Sequence, residues 1–274
     1  MRTQQRSIIA ELGTTPHINP EQEVAQRTQF LADYLGQTGM NGFVLGISGG
    51  QDSLLAGILA QRAVEARRST GNSSEFHAVL LPYGTQADRK DALKALEVIK
   101  PDYTHDLPIT APTDAFVTAY STAVHEQLRD FHKGNVKARM RMIAQYAIAG
   151  QYSLLVIGTD HAAEAVTGFY TKYGDGGADV LPLSGLTKRQ GRQILEYLNV
   201  PHIFTQKAPT ADLLDNTPSQ PDETELGLSY NVIDDYLEGK QIDPSQAKLL
   251  EAKYAATIHK RTMPVAYSPP APIG

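Results

Sequence analysis

Cysteine and tryptophan are both absent from the 274 residues. Without cysteine there are no disulfides, no thiolate metal sites and no thiol nucleophiles. No apolar run approaches the ~18 residues that a membrane-spanning helix requires. The amino-terminal "MRTQQRSIIAEL" has too short an apolar patch for a signal peptide and reads as an amphipathic helix. Positive charge is not in excess either. A net charge of −5 gives no overall field toward nucleic acid or an anionic membrane, so neither is expected as a partner. Any anionic ligand must therefore meet a local basic cluster. Internal repeats and low-complexity tracts are missing too, and the expectation is one globular domain over 1–274, cytoplasmic by default.

What is present is alternation. Residues 43–47, bounded by glycines, read as a buried strand, and Leu54, Leu55, Ile58 and Leu59 follow at helical spacing. "FHAVLLP" (76–82) and "SLLVIGT" (153–159) read as further strands. Helices are predicted at 86–100, near 112–131 and 135–149, over "TKRQGRQILEYLN", and near 226–238 and 244–261. An earlier amphipathic helix opens at Asn19-Pro20, a cap followed by proline at the first helical position, and ends near Gly36 or Gly39. Strands alternating with helices predict an α/β fold with a parallel sheet covered on both faces. Ligands then sit beyond the carboxyl ends of the strands. Two irregular stretches, 168–186 and 207–225, are long enough to be functional, the second as either a lid or a disordered segment.

The corner between the first strand and its helix, "GISGGQDS", is where chemistry is expected. A helix opening straight after a glycine-rich turn presents unpaired backbone N–H groups and the positive end of its dipole, which together bind an anion. Gly49 and Gly50 let a phosphate approach the backbone, and Ser48 and Ser53 add hydroxyl donors. Neither the Walker pattern nor GxGxxG is satisfied. Asp52 beside phosphates implies an intervening cation, Mg²⁺; the alternative is a first-turn carboxylate that stabilises the helix by its charge. "GISGG" also satisfies the GxSxG nucleophile elbow, with Ser48 as nucleophile and Asp179 plus His202 or His259 completing a triad. That reading leaves Asp52 and Ser53 without a role and lacks an upstream strand and loop for an oxyanion hole.

At Ser48-Gly49-Gly50-Gln51-Asp52-Ser53 the chain resembles the pyrophosphate loop of the N-type ATP pyrophosphatases, which cleave ATP between its α- and β-phosphates. The segments "PYGTQADRKDA", "GTDHAAEAVTGFYTKYGDGGADVLPL", "LTKRQGR", "KAPTADLLD", "DETELGLSYNVIDDYLEGK" and "HKR" are similar, in order, to the ammonia-dependent NAD synthetases, so that nearly the whole chain shares the resemblance. It implies a doubly wound, Rossmann-like sheet of the adenine nucleotide alpha hydrolase type. It also implies a homodimer that converts deamido-NAD to NAD with ATP and ammonia through an acyl adenylate, the last step of NAD biosynthesis.

By the same resemblance Gly46, Ile47, Ser48, Gly49, Gly50, Gln51, Asp52 and Ser53 hold the ATP phosphates, with Thr159, Lys188 and Thr210 as further ATP contacts. Asp52 and Glu164 take Mg²⁺, while His161, lacking HExxH or cysteine company, is read as a structural or supporting histidine. Arg139, Lys172, Asp179, His259 and Lys260 meet deamido-NAD, the last two in either subunit's site. Ser48, Asp52 and Lys188 carry the catalytic work, joined by Asp175, proposed to take a proton from ammonium. Glutamine-using relatives carry an amidase domain with a cysteine nucleophile. With no cysteine here, free ammonia is the expected nitrogen source. Ile258 before His-Lys-Arg and the tail "PVAYSPPAPIG" depart from the family pattern. A sensor that binds ATP without turnover is the non-enzyme alternative, and Asp52, Glu164, Lys172 and Lys188 together argue against it. Asp52→Asn is expected to abolish turnover and leave the fold intact.

Overall fold

The computed structural model describes residues 2–85, 88–210, 213–217 and 220–267. Helices α1 (Thr3–Leu12) and α2 (Pro20–Thr38) precede β1 (Gly42–Gly46) and α3 (Gln51–Ser69). Then come β2 (Glu75–Leu80), α4 (Arg89–Ile99), β3 (Tyr103–Asp106), α5 (Thr110–Val124), α6 (Asp130–Tyr152) and β4 (Leu154–Val156). The second half is helical: α7 (Ala162–Thr167), α8 (Lys188–Tyr197), α9 (His202–Thr205), α10 (Asp222–Leu226), α11 (Tyr230–Leu237), α12 (Pro244–Ala256) and α13 (Ile258–Arg261).

The four strands are parallel in the order β3-β2-β1-β4, with Gly42–Gly46 registered on Glu75–Val79 and Gly42–Val44 on Leu154–Val156. A bridge from Ile157 to Val180 extends the β4 edge. Successive side chains of β1 face opposite layers. Phe43 and Leu45 join Leu54, Leu59 and Phe204 in one apolar cluster, while Val44 joins Val79, Val156 and Ala144 of α6 in another. A third cluster unites Ile8, Val166, Ile233, Tyr236 and Leu250, which fastens α1, α7, α11 and α12 together. Burial on both faces explains why β1 and β4 read as unbroken apolar runs.

Several boundaries move. The strand β3 is absent from the sequence-based reading: its residues are mostly exposed, and an edge strand that is wet on its outer side lacks the apolar signature. The helix expected over 112–131 ends at Val124, where His125 takes φ +60°, and α6 starts afresh at Asp130. The helix expected near 226–238 begins at Tyr230 behind a Ser229 cap, and a separate turn, α10, precedes it. The helix expected over 244–261 breaks at Thr257, whose hydroxyl donates to Lys253 O at 2.8 Å. The first two positions of the helix expected from 86, and the tail 268–274, lie outside the described residues.

Candidate active site

The chain leaves β1 at Gly46 and enters α3 at Gln51, and the corner between them adopts a shape only glycine permits at one point. Gly49 has φ +79°, and a Cβ there would lie 2.5 Å from Ala92 N at the start of α4. The two serines lock the turn: Ser48 Oγ and Ser53 Oγ are 3.1 Å apart, and Gly50 N donates to Ser48 Oγ at 3.2 Å. Gly50 is the N-cap residue and offers no side-chain cap to the first N–H groups of α3, whose residues Gln51, Asp52 and Ser53 line the cleft. Among the described residues Ser48 Oγ has no histidine partner. The hydrolase triad order therefore finds no base at the serine.

The cleft lies past the carboxyl ends of β1 and β4, where doubly wound sheets bind ligands. Gly46, Ile47, Ser48, Gly50, Gln51, Asp52 and Ser53 line it together with Thr159, Glu164, Lys188, Lys207, Thr210 and Asp175. Its empty volume of about 1500 Å³, open mouth included, accommodates a nucleotide. Gln145 steadies its floor by accepting from Gly46 N at 2.7 Å.

Asp52 and Lys188 form the central pair, Nζ to Oδ2 at 2.6 Å. Thr187 caps α8 in a capping box with Gln190, and Asp234 accepts from the backbone N–H groups of Lys188 and Arg189 at 3.1 and 2.8 Å. Those contacts fix the helix end from which Lys188 projects. Burial lowers the ammonium's affinity for its proton, but Asp52 and Glu164 more than restore it, and the Lys188 pKa ends above the ordinary value. Burial likewise pushes the Asp52 carboxyl up, and Lys188 with His161 outweighs it, leaving Asp52 below the ordinary carboxylate range. Glu164 goes the other way: burial, then the Asp52 charge, raise it well above its ordinary value.

Asp52, His161 and Glu164 present ligand atoms within 4.8 Å of one another. His161 caps α7, its Nδ1 accepting from Glu164 N at 3.4 Å, and burial drops its pKa to about 4. A neutral ring that accepts at Nδ1 carries its proton on Nε2. Nε2 lies 3.7 Å from Asp52 and 3.5 Å from Glu164, near both carboxyl groups but hydrogen-bonded to neither.

A second hollow adjoins the cleft, lined by Phe131, Asn135, Phe169, Tyr170, Asp175 and Lys260 among others. Asp175 accepts from Thr171 N at 2.9 Å, and burial raises its pKa. Asp160, which sequence reasoning passed over, is pushed up to about 8 by burial and then by Asp175 and Asp52. Lys260 donates to Gly168 O and Tyr170 O, both at 2.7 Å, in the lining of this hollow. Lys172 Nζ donates to His259 O, and Arg139 Nη2 to Lys172 O at 3.2 Å, which gathers these three residues at one rim. Asp179 stands apart. Its carboxylate accepts from Val156 N at 2.8 Å and Tyr146 Oη at 3.1 Å, at the edge of β4.

Beyond Asp160, three residues at the cleft or at the 207–225 stretch, the strap across it, had no site role in the sequence reading, which took Lys137 and Arg141 as charges of a solvated basic helix and Lys207 only as part of a motif. Lys207 pairs with Asp88 and Asp91 at 2.9 and 2.8 Å. Arg141 donates to Leu81 O at 3.2 Å, and the buried Lys137 donates to Leu213 O at 2.8 Å. A lysine in a polar loop or on a basic helix carries no local signal that separates it from a solvated one.

A phosphate-cradling turn at the carboxyl edge of a parallel sheet, with a carboxylate pair and a buried lysine facing it, defines a nucleotide-binding α/β protein of the pyrophosphate-loop type. The chain belongs to the NAD synthase family, whose model matches residues 23–264. It is 60% identical to an NH(3)-dependent NAD(+) synthetase of Bacillus velezensis over 260 residues, covering 95% of this chain and 96% of that one. The solved NAD+ synthetase of Burkholderia pseudomallei superposes with a TM-score of 0.82 at 46% identity, covering 95% and 96% of the two chains. An NMN synthetase from Francisella tularensis superposes with a TM-score of 0.80 at 34% identity, covering 93% and 100%.

Proposed function

We propose that the protein is an ammonia-dependent NAD synthetase that amidates deamido-NAD with ATP, releasing AMP and pyrophosphate. The observation that carries this reading is the convergence, on one cleft, of the Ser48–Ser53 turn, the Asp52–Lys188 pair and Glu164, with Asp175 and Lys260 in the hollow beside it.

Chemistry explains the order of events. A carboxylate is a poor acceptor for ammonia, so the nicotinate carboxylate first attacks the α-phosphorus of ATP and pyrophosphate leaves. Ammonia then attacks the acyl adenylate, and AMP departs. The protein contributes positioning and charge stabilisation. The backbone N–H groups of the 48–53 turn and the hydroxyls of Ser48 and Ser53 hold the phosphates, Thr159 and Thr210 bound the nucleotide, and Lys188 meets charge that develops at the α-phosphate. Asp52 and Glu164 fit Mg²⁺ as a hard, all-oxygen donor pair, and with His161 protonated at Nε2 the set disfavours softer metals. Mg²⁺ bound there supplies charge neutralisation across the phosphate oxygens.

Asp175, raised by burial and close to Asp160, suits the removal of a proton from ammonium before it attacks. Arg139, Lys172, His259 and Lys260 provide the basic rim for the dinucleotide's phosphates; Asp179 contributes by holding Tyr146 and the β4 edge. A homodimer belongs to the same reading. Phe116 on α5 and Ile143 on α6 are 44% and 53% exposed, apolar side chains that a second copy would cover. The setting is the cytoplasm.

The likeness to an NMN synthetase makes the mononucleotide a competitor substrate. The deciding assay supplies ATP, Mg²⁺ and ammonium with either deamido-NAD or nicotinic acid mononucleotide. Equal yields of NAD and AMP from the dinucleotide, with glutamine unable to replace ammonium, are expected. Preference for the mononucleotide, or AMP formed without any amide, would refute the assignment.

A further inference from the structure

The cleft contains a second lysine whose role the reaction above leaves open. Lys207 stands at the root of the 207–225 stretch, and its backbone is tied to the phosphate turn: Gln51 Nε2 donates to Lys207 O at 3.3 Å and to Thr205 O at 3.4 Å. Its Nζ reaches back over the turn, donating to Asp88 at 2.9 Å, Asp91 at 2.8 Å and Gly49 O at 3.4 Å. Asp88 caps α4 and Asp91 lies in its first turn. The start of α4 presses so closely on Gly49 that no Cβ fits between them. The ammonium is therefore held beside the turn, in the lining of the cleft that the turn borders.

We propose that Lys207 binds the departing pyrophosphate, exchanging Asp88 and Asp91 for β- and γ-phosphate oxygens. When the substrate carboxylate attacks the α-phosphorus, the bond to the bridging oxygen breaks and its electron pair stays on pyrophosphate. Charge accumulates on the side of the cleft away from the attacking group. Lys188 is engaged with Asp52 at 2.6 Å and faces the metal-binding carboxylates. Lys207 is the lining cation anchored to the turn itself. The exchange is easy because Asp88 and Asp91 are about one-third exposed, 32% and 33%, and partly exposed ion pairs are weak. A phosphate accepting from an ammonium inside a cleft makes a stronger, charge-assisted bond. Asp88 and Asp91 thus act as stand-ins that keep the lysine pre-positioned.

This inference rests on the cleft being the ATP site. It is tested on the full-length protein by measuring inhibition, and direct calorimetric binding, by Mg²⁺-pyrophosphate and separately by AMP. Lys207→Met should weaken pyrophosphate about tenfold or more and leave AMP within about twofold. Lys207→Arg should recover most of the loss. The double variant Asp88→Asn with Asp91→Asn breaks the same ion pairs but should bind pyrophosphate at least as tightly as the parent. If Lys207 only fastened the strap, Lys207→Met and the double Asn variant would weaken pyrophosphate alike, and AMP would weaken with it; either result overturns the proposal. Because pyrophosphate binding is read without turnover, failure of the wild type to form NAD would sink the functional assignment alone.

Discussion

Asp52 has two duties, and separating them gives the sharpest test of the site. Sequence alone suggests that Asp52→Asn leaves the fold untouched. The structure makes Asp52 the counter-ion of Lys188, whose side chain is 5% exposed. Removing one partner of a buried pair costs about 3–5 kcal/mol, because the other charge is left uncompensated. Two features reduce that figure. Asp52 is 25% exposed, so water shares the load, and Glu164 stands ready beside it. Burial and the Asp52 charge push the Glu164 carboxyl pKa up; with Asp52 neutral the second push is gone, and the Glu164 carboxylate is left to answer Lys188. The expected loss for Asp52→Asn is about 2 kcal/mol, read by urea unfolding without Mg²⁺ near neutral pH, together with loss of turnover. Glu164→Gln alone should be nearly neutral for the metal-free fold. In the Asp52→Asn background it should add more than it costs alone, since no carboxylate then answers the lysine. Asp52→Asn with Lys188→Met should regain stability relative to Asp52→Asn. Strict additivity of these variants, or an Asp52→Asn protein within about 0.5 kcal/mol of the parent, would refute the charge-sharing account.

Lys137→Met should loosen the strap, since Lys137 is 2% exposed and holds Leu213 O and the Asp215 carboxylate. The outcome expected is a higher KM for ATP and faster proteolytic cleavage within 207–225, and an unchanged cleavage rate would contradict it. His77, 1% exposed with Nδ1 2.9 Å from His105 Nε2, has its pKa lowered, chiefly by burial. The unfolded chain, with histidine near 6.5, takes up that proton first, so stability should fall as pH drops below about 6.5. Unfolding midpoints between pH 7.5 and 5.5 should be less steep for His77→Gln than for the parent; equal steepness would remove His77 from the acid response.

What sequence revealed and what it hid divide along the distance that each feature spans. The turn Ser48–Ser53 is legible because its geometry is local: adjacent glycines, two hydroxyls and a helix start suffice to describe a phosphate cradle. Strands β1 and β4 are legible because burial on both faces makes them continuously apolar, and β2 because His77 alone interrupts its buried run Phe76–Leu80. Tyr103–Asp106 is hidden because half of its surroundings are water, and Tyr103 itself is 50% exposed. Lys188 meets Asp52 across 136 residues, and only the family pattern pointed to it. Asp160 and Lys207 are hidden for the same physical reason. Each looks in sequence like an ordinary surface charge, and its environment is created by segments that arrive from elsewhere in the chain.

The charge arrangement also answers how a chain of net charge −5 manages anionic substrates. It gathers cations locally, and three of them are held by carboxylates in advance: Lys188 by Asp52, Lys207 by Asp88 and Asp91, Lys137 by Asp215. An unpaired buried ammonium destabilises the fold, so the carboxylates hold these lysines in place. The arrangement then sorts by what each carboxylate can do. Asp215 is bound on two sides by Lys133 and Lys137 and serves the strap alone. Asp88 and Asp91 are wet enough to release their lysine to a phosphate. In the proposed reaction Asp52, with Glu164 beside it, exchanges lysine for a metal ion that would arrive with the polyphosphate. Acidic residues in this cleft therefore do not repel the substrate; they hold its binding cations ready.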